Sequence, residues 1–231
     1  FILSITNVIF PRLSRLTAGG QEGEFRDTLR QTVHTSLFFV LPMSAGLMAV
    51  ARPLISLLYG GGSFDAFSVD LTASALVWSS LGMGGYAVQN VLSRAYFARQ
   101  EGRGPLLAGA AAIAVNIGLC ALLAGPLSVA GLALASAASS TVYALLLLLP
   151  LERRGEGVLD RPFLLDLGKM LLAALVTGLW AWGLLSLLSG ALPAGKAGEL
   201  LCLAGCALSG GLVYFLAAAA LGLQEARLAL A

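Results

Sequence analysis

Charge is what this chain has least of. Only 11% of its 231 residues are Asp, Glu, Lys or Arg, against about 25% in soluble domains. A polar coat cannot be built from so few. With 58% hydrophobic residues and a mean hydropathy of +0.88, the sequence reads as an all-α integral membrane protein. The net charge of +2 is too small to draw in nucleic acid, which excludes that partner. Histidine is limited to His34, far along the chain from all three cysteines. Cys202 and Cys206 share a helix face at i, i+4, a spacing that resembles a metal pair, but without further ligands they read as small packing residues, and no metal is expected. Three cysteines scattered through apolar runs make no disulfide framework. The start lacks an initiator Met, a basic leader and a cleavage-site pattern, so no signal peptide is read there. The chain opens inside an apolar run, as the carboxy-terminal part of a longer protein would.

What is present is a set of long uncharged runs: 1–11, 31–51, 71–93, 104–151, 170–195 and 200–224. A helix needs about 20 residues to cross a bilayer, so four of these runs hold one span each. Run 104–151 is long enough for two and is punctuated by Gly125-Pro126, a turn signal. Run 1–11 is too short and reads as the end of a span. The expectation is six complete transmembrane helices plus the end of a seventh.

Twelve of the 14 Lys and Arg residues fall on alternate sides of these runs, around 12–30, 94–103, 152–169 and at Arg227; only Arg52 and Lys196 fall on the other side. That asymmetry makes the first side, and the C-terminus with it, cytoplasmic. The stretch Gly85–Pro105 shows the pattern best. It turns polar at Gln89, Asn90 and Ser93, then releases Arg94, Arg99 and Arg103, as a helix leaving the membrane would, with the amides just inside and the arginines in water.

Within the runs, Pro42 interrupts 31–51 and frees a backbone carbonyl, which a neighbouring helix or a polar cavity must then satisfy. His34, close to Arg30, suits an interfacial position better than a proton relay. Segment 21–30 reads as an amphipathic ramp into the next span. In the outer turn 57–70, Tyr59 is an interfacial anchor, Ser68 is the expected N-cap and Asp70 falls in the first helical turn. Its three glycines are followed by no P-loop lysine, so they mark a turn rather than a phosphate site. Small residues recur at four-residue spacing as Ala110, Ala114, Gly118 and as Gly131, Ala135, Ser139, stripes that let helices approach closely in lipid. Asn116, Ser136, Ser139 and Ser140 are the polar residues at depth. An intramembrane Asn there either bonds to a neighbouring helix or ligates an ion or substrate. The helices beyond the loop 152–169 are almost purely apolar, with Trp180, Trp182, Tyr214 and Phe215, and read as a lipid-facing appended pair.

Three blocks carry a family resemblance. FPRLSRL at 10–16, LPMSAGLMAVARPLISLLYGGGSFDA at 41–66 and YAVQNVLSRAYFARQEGRGPL at 86–106 resemble the MurJ (MviN) lipid II flippases, a branch of the multidrug/oligosaccharidyl-lipid/polysaccharide exporter superfamily, with GLALASAASS at 131–140 in support. The resemblance covers essentially the whole chain. It implies a fold of fourteen helices, two six-helix lobes facing each other in a V plus two extra helices, with this chain running from late in the eighth helix to the end of the fourteenth. Residues 1–151 would then be the second lobe, lacking its first helices, 152–169 a cytoplasmic linker and 170–231 the extra pair, which in the family forms a groove for the polyprenyl tail.

The implied function is transport, not enzymatic chemistry: alternating-access transfer of undecaprenyl-diphosphate-linked peptidoglycan precursor, lipid II or a related lipid, across the bacterial cytoplasmic membrane, together with the N-terminal lobe of the same protein. The family's best-known cavity arginines lie in parts not contained here. Gln89, Asn90 and Arg94 are the nearest candidates for headgroup contact. The family is also associated with a sodium site on its eleventh and twelfth helices. Asn116 matches an amide ligand there and Ser136 stands for a threonine, but Cys120 occupies the place of a carboxylate. A neutral thiol is a poor sodium ligand, which argues against sodium coupling, and no other cofactor is implied. The alternatives are a polysaccharide-lipid flippase or multidrug exporter, which usually lack the extra pair, and a non-transporting membrane partner in cell-wall assembly.

Overall fold

Lipid offers the backbone no hydrogen bonds, so a chain this apolar must satisfy its peptide groups within helices. The computed structural model describes residues 2–62, 64–154, 158–191 and 196–223, and these are helical almost throughout; among them the sole extended pairing is a bridge between Gly61 and Phe64. The elements are α1 (Ile2–Ala18), α2 (Glu22–Tyr59), α3 (Ala66–Leu81), α4 (Met83–Ala98), α5 (Arg103–Arg153), α6 (Arg161–Ala191) and α7 (Lys196–Ala220). Four of them, α2, α5, α6 and α7, are long and apolar enough to cross a membrane. The chain is a multi-pass membrane protein.

Two elements differ from a simple rod. The 51 residues of α5 would measure roughly 77 Å as one helix, far beyond a bilayer core. The chain folds back at Ser128, whose φ of 50° and ψ of −128° are not helical, giving two antiparallel halves, 103–127 and 129–153. The reversal falls just after the Gly125-Pro126 expected to make it. Gly82 separates α3 from α4 but keeps right-handed helical angles, φ −80° and ψ −9°, so α4 continues from α3. Its missing side chain matters: a Cβ there would lie 2.5 Å from Ala137 Cα, and one on Gly85 would lie 2.7–2.9 Å from three atoms of Thr141. Both glycines let the α3–α4 line pack directly on the second half of α5.

The helices converge at one end. Leu13, Phe25, Leu29, Leu92, Leu147 and Met170, from α1, α2, α4, α5 and α6, meet in a buried cluster. Around it Arg30 pairs with Asp160, Arg99 with Glu22 at 2.6 Å and Arg154 with Glu101 at 2.7 Å. The other end has a smaller cluster of Ala51, Ile55, Val69 and Ala73 between α2 and α3.

Several sequence expectations change here. Helices α1, α2, α5 and α6 are each longer than their uncharged runs, because charged residues extend helices into the interface without breaking hydrogen bonding. Thus α4 continues to Ala98 and α6 begins at Arg161, within the segment 152–169. Pro42 does not break α2, which runs through both Pro42 and Pro53. The N-cap of α3 is Asp65 rather than Ser68: the Asp65 carboxylate accepts the Ser68 N–H at 2.9 Å, and this bond holds its carboxyl below the usual carboxylate range. Asp70 therefore stands beyond the first turn, where it accepts from Arg52 Nε at 2.6 Å. Of the two small-residue stripes, Gly131 and Ala135 are buried as expected, but Ala110, Ala114 and Gly118 are exposed. In so alanine-rich a helix, every face offers such a stripe, and Ala108 and Ala112 make the contact instead. Arg227 lies outside the described residues.

Candidate functional site

Helix α4 turns one face outward. Met83, Tyr86, Asn90, Arg94 and Phe97 follow one another at steps of three or four residues, so they form one stripe along the helix; Tyr86 and Phe97 are exposed, Asn90 and Arg94 half-buried. Gln89 and Ser93 border it. The structure thus brings Gln89, Asn90 and Arg94 together on neighbouring positions of one helix. The Asn90 amide donates to Tyr86 O at 2.7 Å, which leaves its oxygen available as an acceptor. Gln89 Oε1 is enclosed without a hydrogen-bond partner, an expensive state for a buried acceptor.

The arginines of this stretch divide by environment. Arg94 has no carboxylate partner among the described residues, and its guanidinium lies 5.9 Å from the centre of the Phe10 ring on α1. Arg99, expected in water, instead lies 4.2 Å over the Phe25 ring and bonds to Glu22, with only 9% of its side chain exposed. It fastens α4 to α2. The difference follows from position: Arg99 caps the close of α4, where the start of α2 arrives with an acid, whereas α1 presents Arg94 with an aromatic ring.

At its upper end the stripe meets an apolar groove of about 520 Å3 bounded by α2, α6 and α7, to which Met83 contributes. Phe39, Pro42 and Met43 form one wall and Cys206, Gly210 and Tyr214 the other. Pro42 cannot bond to the carbonyl of Phe38 four residues back. That carbonyl is taken by the hydroxyl of Tyr214, which donates to it at 2.6 Å from α7. The proline's deficit thus becomes the docking point of the last helix. Sequence reading missed this pairing, although Tyr214 was a visible signal as a hydroxyl-bearing ring in an otherwise apolar helix. It also missed Met83 and Phe10. His34 lies at the same seam, its Nε2 3.6 Å from Asp166 and its ring edge-on to Phe163. Its geometry is that of an interhelical contact.

Asn116 and Ser136 are also brought together, across the α5 hairpin. The Asn116 amide nitrogen stands 3.4 Å from Ser136 Oγ and 3.3 Å from Ser139 Oγ, while its oxygen faces Cys120 Sγ at 3.7 Å. A cation needs converging oxygens; here the amide offers N–H to both hydroxyls, and among the described residues no group of three His, Cys, Asp or Glu gathers that could hold a metal.

Comparison with known proteins gives this geometry a family. The family described as "Lipid II flippase MurJ" matches residues 1–197. Among curated relatives, the "Probable lipid II flippase MurJ" of Haemophilus influenzae is 31% identical over 189 residues, covering 79% of this chain and 37% of the relative. That of Thermotoga maritima is 36% identical over 137 residues, 59% of this chain and 29% of the relative, and that of Rhizobium meliloti 29% over 174 residues, 75% and 32%. The chain spans about a third of the length of these relatives. A solved structure, "Lipid II flippase MurJ, inward closed conformation", shares the fold with a TM-score of 0.73 at 23% identity, over 94% of this chain and 42% of that one. With the family match covering most of its length and the same helical arrangement, the chain belongs to the MurJ lipid II flippase family.

Proposed function

We propose that this chain is the carboxy-terminal part of a flippase that carries lipid II, the undecaprenyl-diphosphate-linked peptidoglycan precursor, across the bacterial cytoplasmic membrane. The observation that carries the reading is the α4 stripe. It joins an apolar groove at Met83 to a guanidinium without a carboxylate partner at Arg94, roughly 16 Å further along the helix. An amphiphile with a long hydrocarbon tail and an anionic diphosphate needs those two surfaces in that order. The tail lies in the groove of α2, α6 and α7. Arg94, whose planar fork suits phosphate oxygens, and the amides of Gln89 and Asn90 meet the headgroup. Residues 1–151 act as the second transport lobe and 170–231 as the tail-holding pair, with the basic helix ends and the C-terminus in the cytoplasm. Headgroup transfer follows when this lobe rocks against an N-terminal lobe of the same protein. Asn116, Ser136 and Ser139 hold the α5 hairpin together, and transport needs no sodium through them.

The test uses the full-length protein in proteoliposomes loaded with fluorescent lipid II. Arg94→Gln should lower the flipping rate at least tenfold, while Arg94→Lys keeps part of it and the melting temperature stays at the wild-type value. Replacing sodium by potassium should leave the rate unchanged. Undiminished flipping by Arg94→Gln would remove Arg94 from the site, and normal peptidoglycan synthesis after depletion of the full-length protein would sink the reading as a whole.

A further inference from the structure

A second cavity, of about 650 Å3, lies between the α4–α5 elbow and the close of α5, away from the α4 stripe. Its walls are fixed. Gln100 adopts a left-handed φ of 60° and turns the chain. Tyr96 donates its hydroxyl to Leu147 O at 2.9 Å, and Tyr143 donates to Pro105 O at 3.1 Å, so two phenols tie the elbow to the returning half of the hairpin. Gly104 lies against the Tyr96 ring, where a Cβ would come within 2.9 Å.

The cavity is polar at one end and apolar at the other. At the rim stand Arg103 and Arg154 against one acid, Glu101, and that acid is already committed to Arg154 by two hydrogen bonds of 2.9 and 2.7 Å. Arg103 is exposed and has no ion pair among the described residues. It opens α5, where the Gly104 N–H is taken by the Glu101 carbonyl at 3.3 Å and Pro105 has no N–H, so the Arg103 guanidinium is the donor left facing the rim. Below the rim, Leu107, Ala111 and Leu146 form an apolar floor that continues along the outward face of α5, with Leu107 exposed.

We propose that this cavity binds an anionic glycerophospholipid of the surrounding leaflet, its phosphate on the Arg103 guanidinium and its first acyl carbons on Leu107, Ala111 and Leu146. The excess of positive charge selects an anionic over a zwitterionic headgroup, since the rim's single carboxylate is spent on Arg154. The apolar floor selects a lipid over a free phosphate. The bound lipid fastens the elbow, and with it the hairpin, to the membrane interface.

The full-length protein in nanodiscs of phosphatidylcholine with a minority of phosphatidylglycerol provides the test, read by native mass spectrometry of the lipid each protein retains. Wild type should retain phosphatidylglycerol in preference to phosphatidylcholine. Arg103→Gln should lower that retention about fivefold, the effect of one cation at an anionic surface. Ala111→Trp, which fills the floor from an exposed position, should lower it similarly. Arg12→Gln, an exposed arginine on α1, should retain it as wild type does. Wild-type retention by Arg103→Gln overturns the proposal. So does equal retention of the two lipids, or glycerol 3-phosphate binding as tightly as the lipid. The assay does not involve transport, so its failure and that of the flippase reading are separable.

Discussion

The α5 hairpin and helix α7 attach to the rest of the molecule by opposite means. The hairpin meets the α3–α4 line backbone to backbone, through Gly82 on Ala137 and Gly85 on Thr141, and no space remains at those two contacts. Helix α6 lies close on α2, with Gly178 against Ala45, whereas α7 reaches α2 through a side chain, from Tyr214 to the Phe38 carbonyl. A side chain that bridges holds helices apart as well as together, and the groove of about 520 Å3 beside Tyr214 is what it leaves open. Within one all-helical membrane protein, the size of the residue at the contact decides between a closed seam and a cleft.

The sharpest way to break this contrast is to put the same side chain on both seams. Gly85→Leu, against Thr141, should destabilise the protein by about 1–3 kcal/mol or more through overpacking, seen as a drop in thermal unfolding temperature in detergent. Gly46→Leu, on the groove wall with nothing within 4 Å, should leave that temperature unchanged while slowing lipid II flipping. If both variants melt alike, the distinction between the seams is wrong. Next in size is Tyr214→Phe, which leaves the Phe38 carbonyl unpaired at a cost of about 1–3 kcal/mol; hydrogen exchange should quicken in α7 and around Pro42 but not in the hairpin. Asn116→Ala should cost less, about 0.6 kcal/mol, the average for intramembrane side-chain bonds. The smallest effect lies at the outer end of α3. The Asp65 cap is fully present above the unfolded carboxylate value of about 3.9 and is lost as pH falls through its lower folded value. Protection of the Ser68 N–H, its exchange measured against the intrinsic rate at each pH, should therefore be flat from neutral pH down to about 4 and fall only in stronger acid, and Asp65→Asn should remove that acid step.

The helices were legible because uncharged runs and basic loops report directly on a bilayer, and Gly125-Pro126 marked the α5 reversal within three residues of Ser128. The grouping of Gln89, Asn90 and Arg94 was legible from a local change of polarity. What was not legible depends on partners distant in the chain. Arg94 and Arg99 look alike in sequence, and only the arrival of Phe10 beside one and of Glu22 with Phe25 beside the other separates them. The exposed Ala110 stripe shows the same limit, since small residues say that a face can be buried but not which one is. The groove is the extreme case, being formed by residues from 39 to 215 with no motif of its own.

The bond from Tyr214 to the Phe38 carbonyl bears on modularity. The stretch 1–151 reads as a lobe and the last two helices as an addition to it, yet α2 carries an acceptor that its own backbone cannot serve once Pro42 is in place. A protein shortened before α7 would present that carbonyl to hydrocarbon. Helix α7 is thus part of the hydrogen bonding of α2, which ties the need for it to the presence of Pro42.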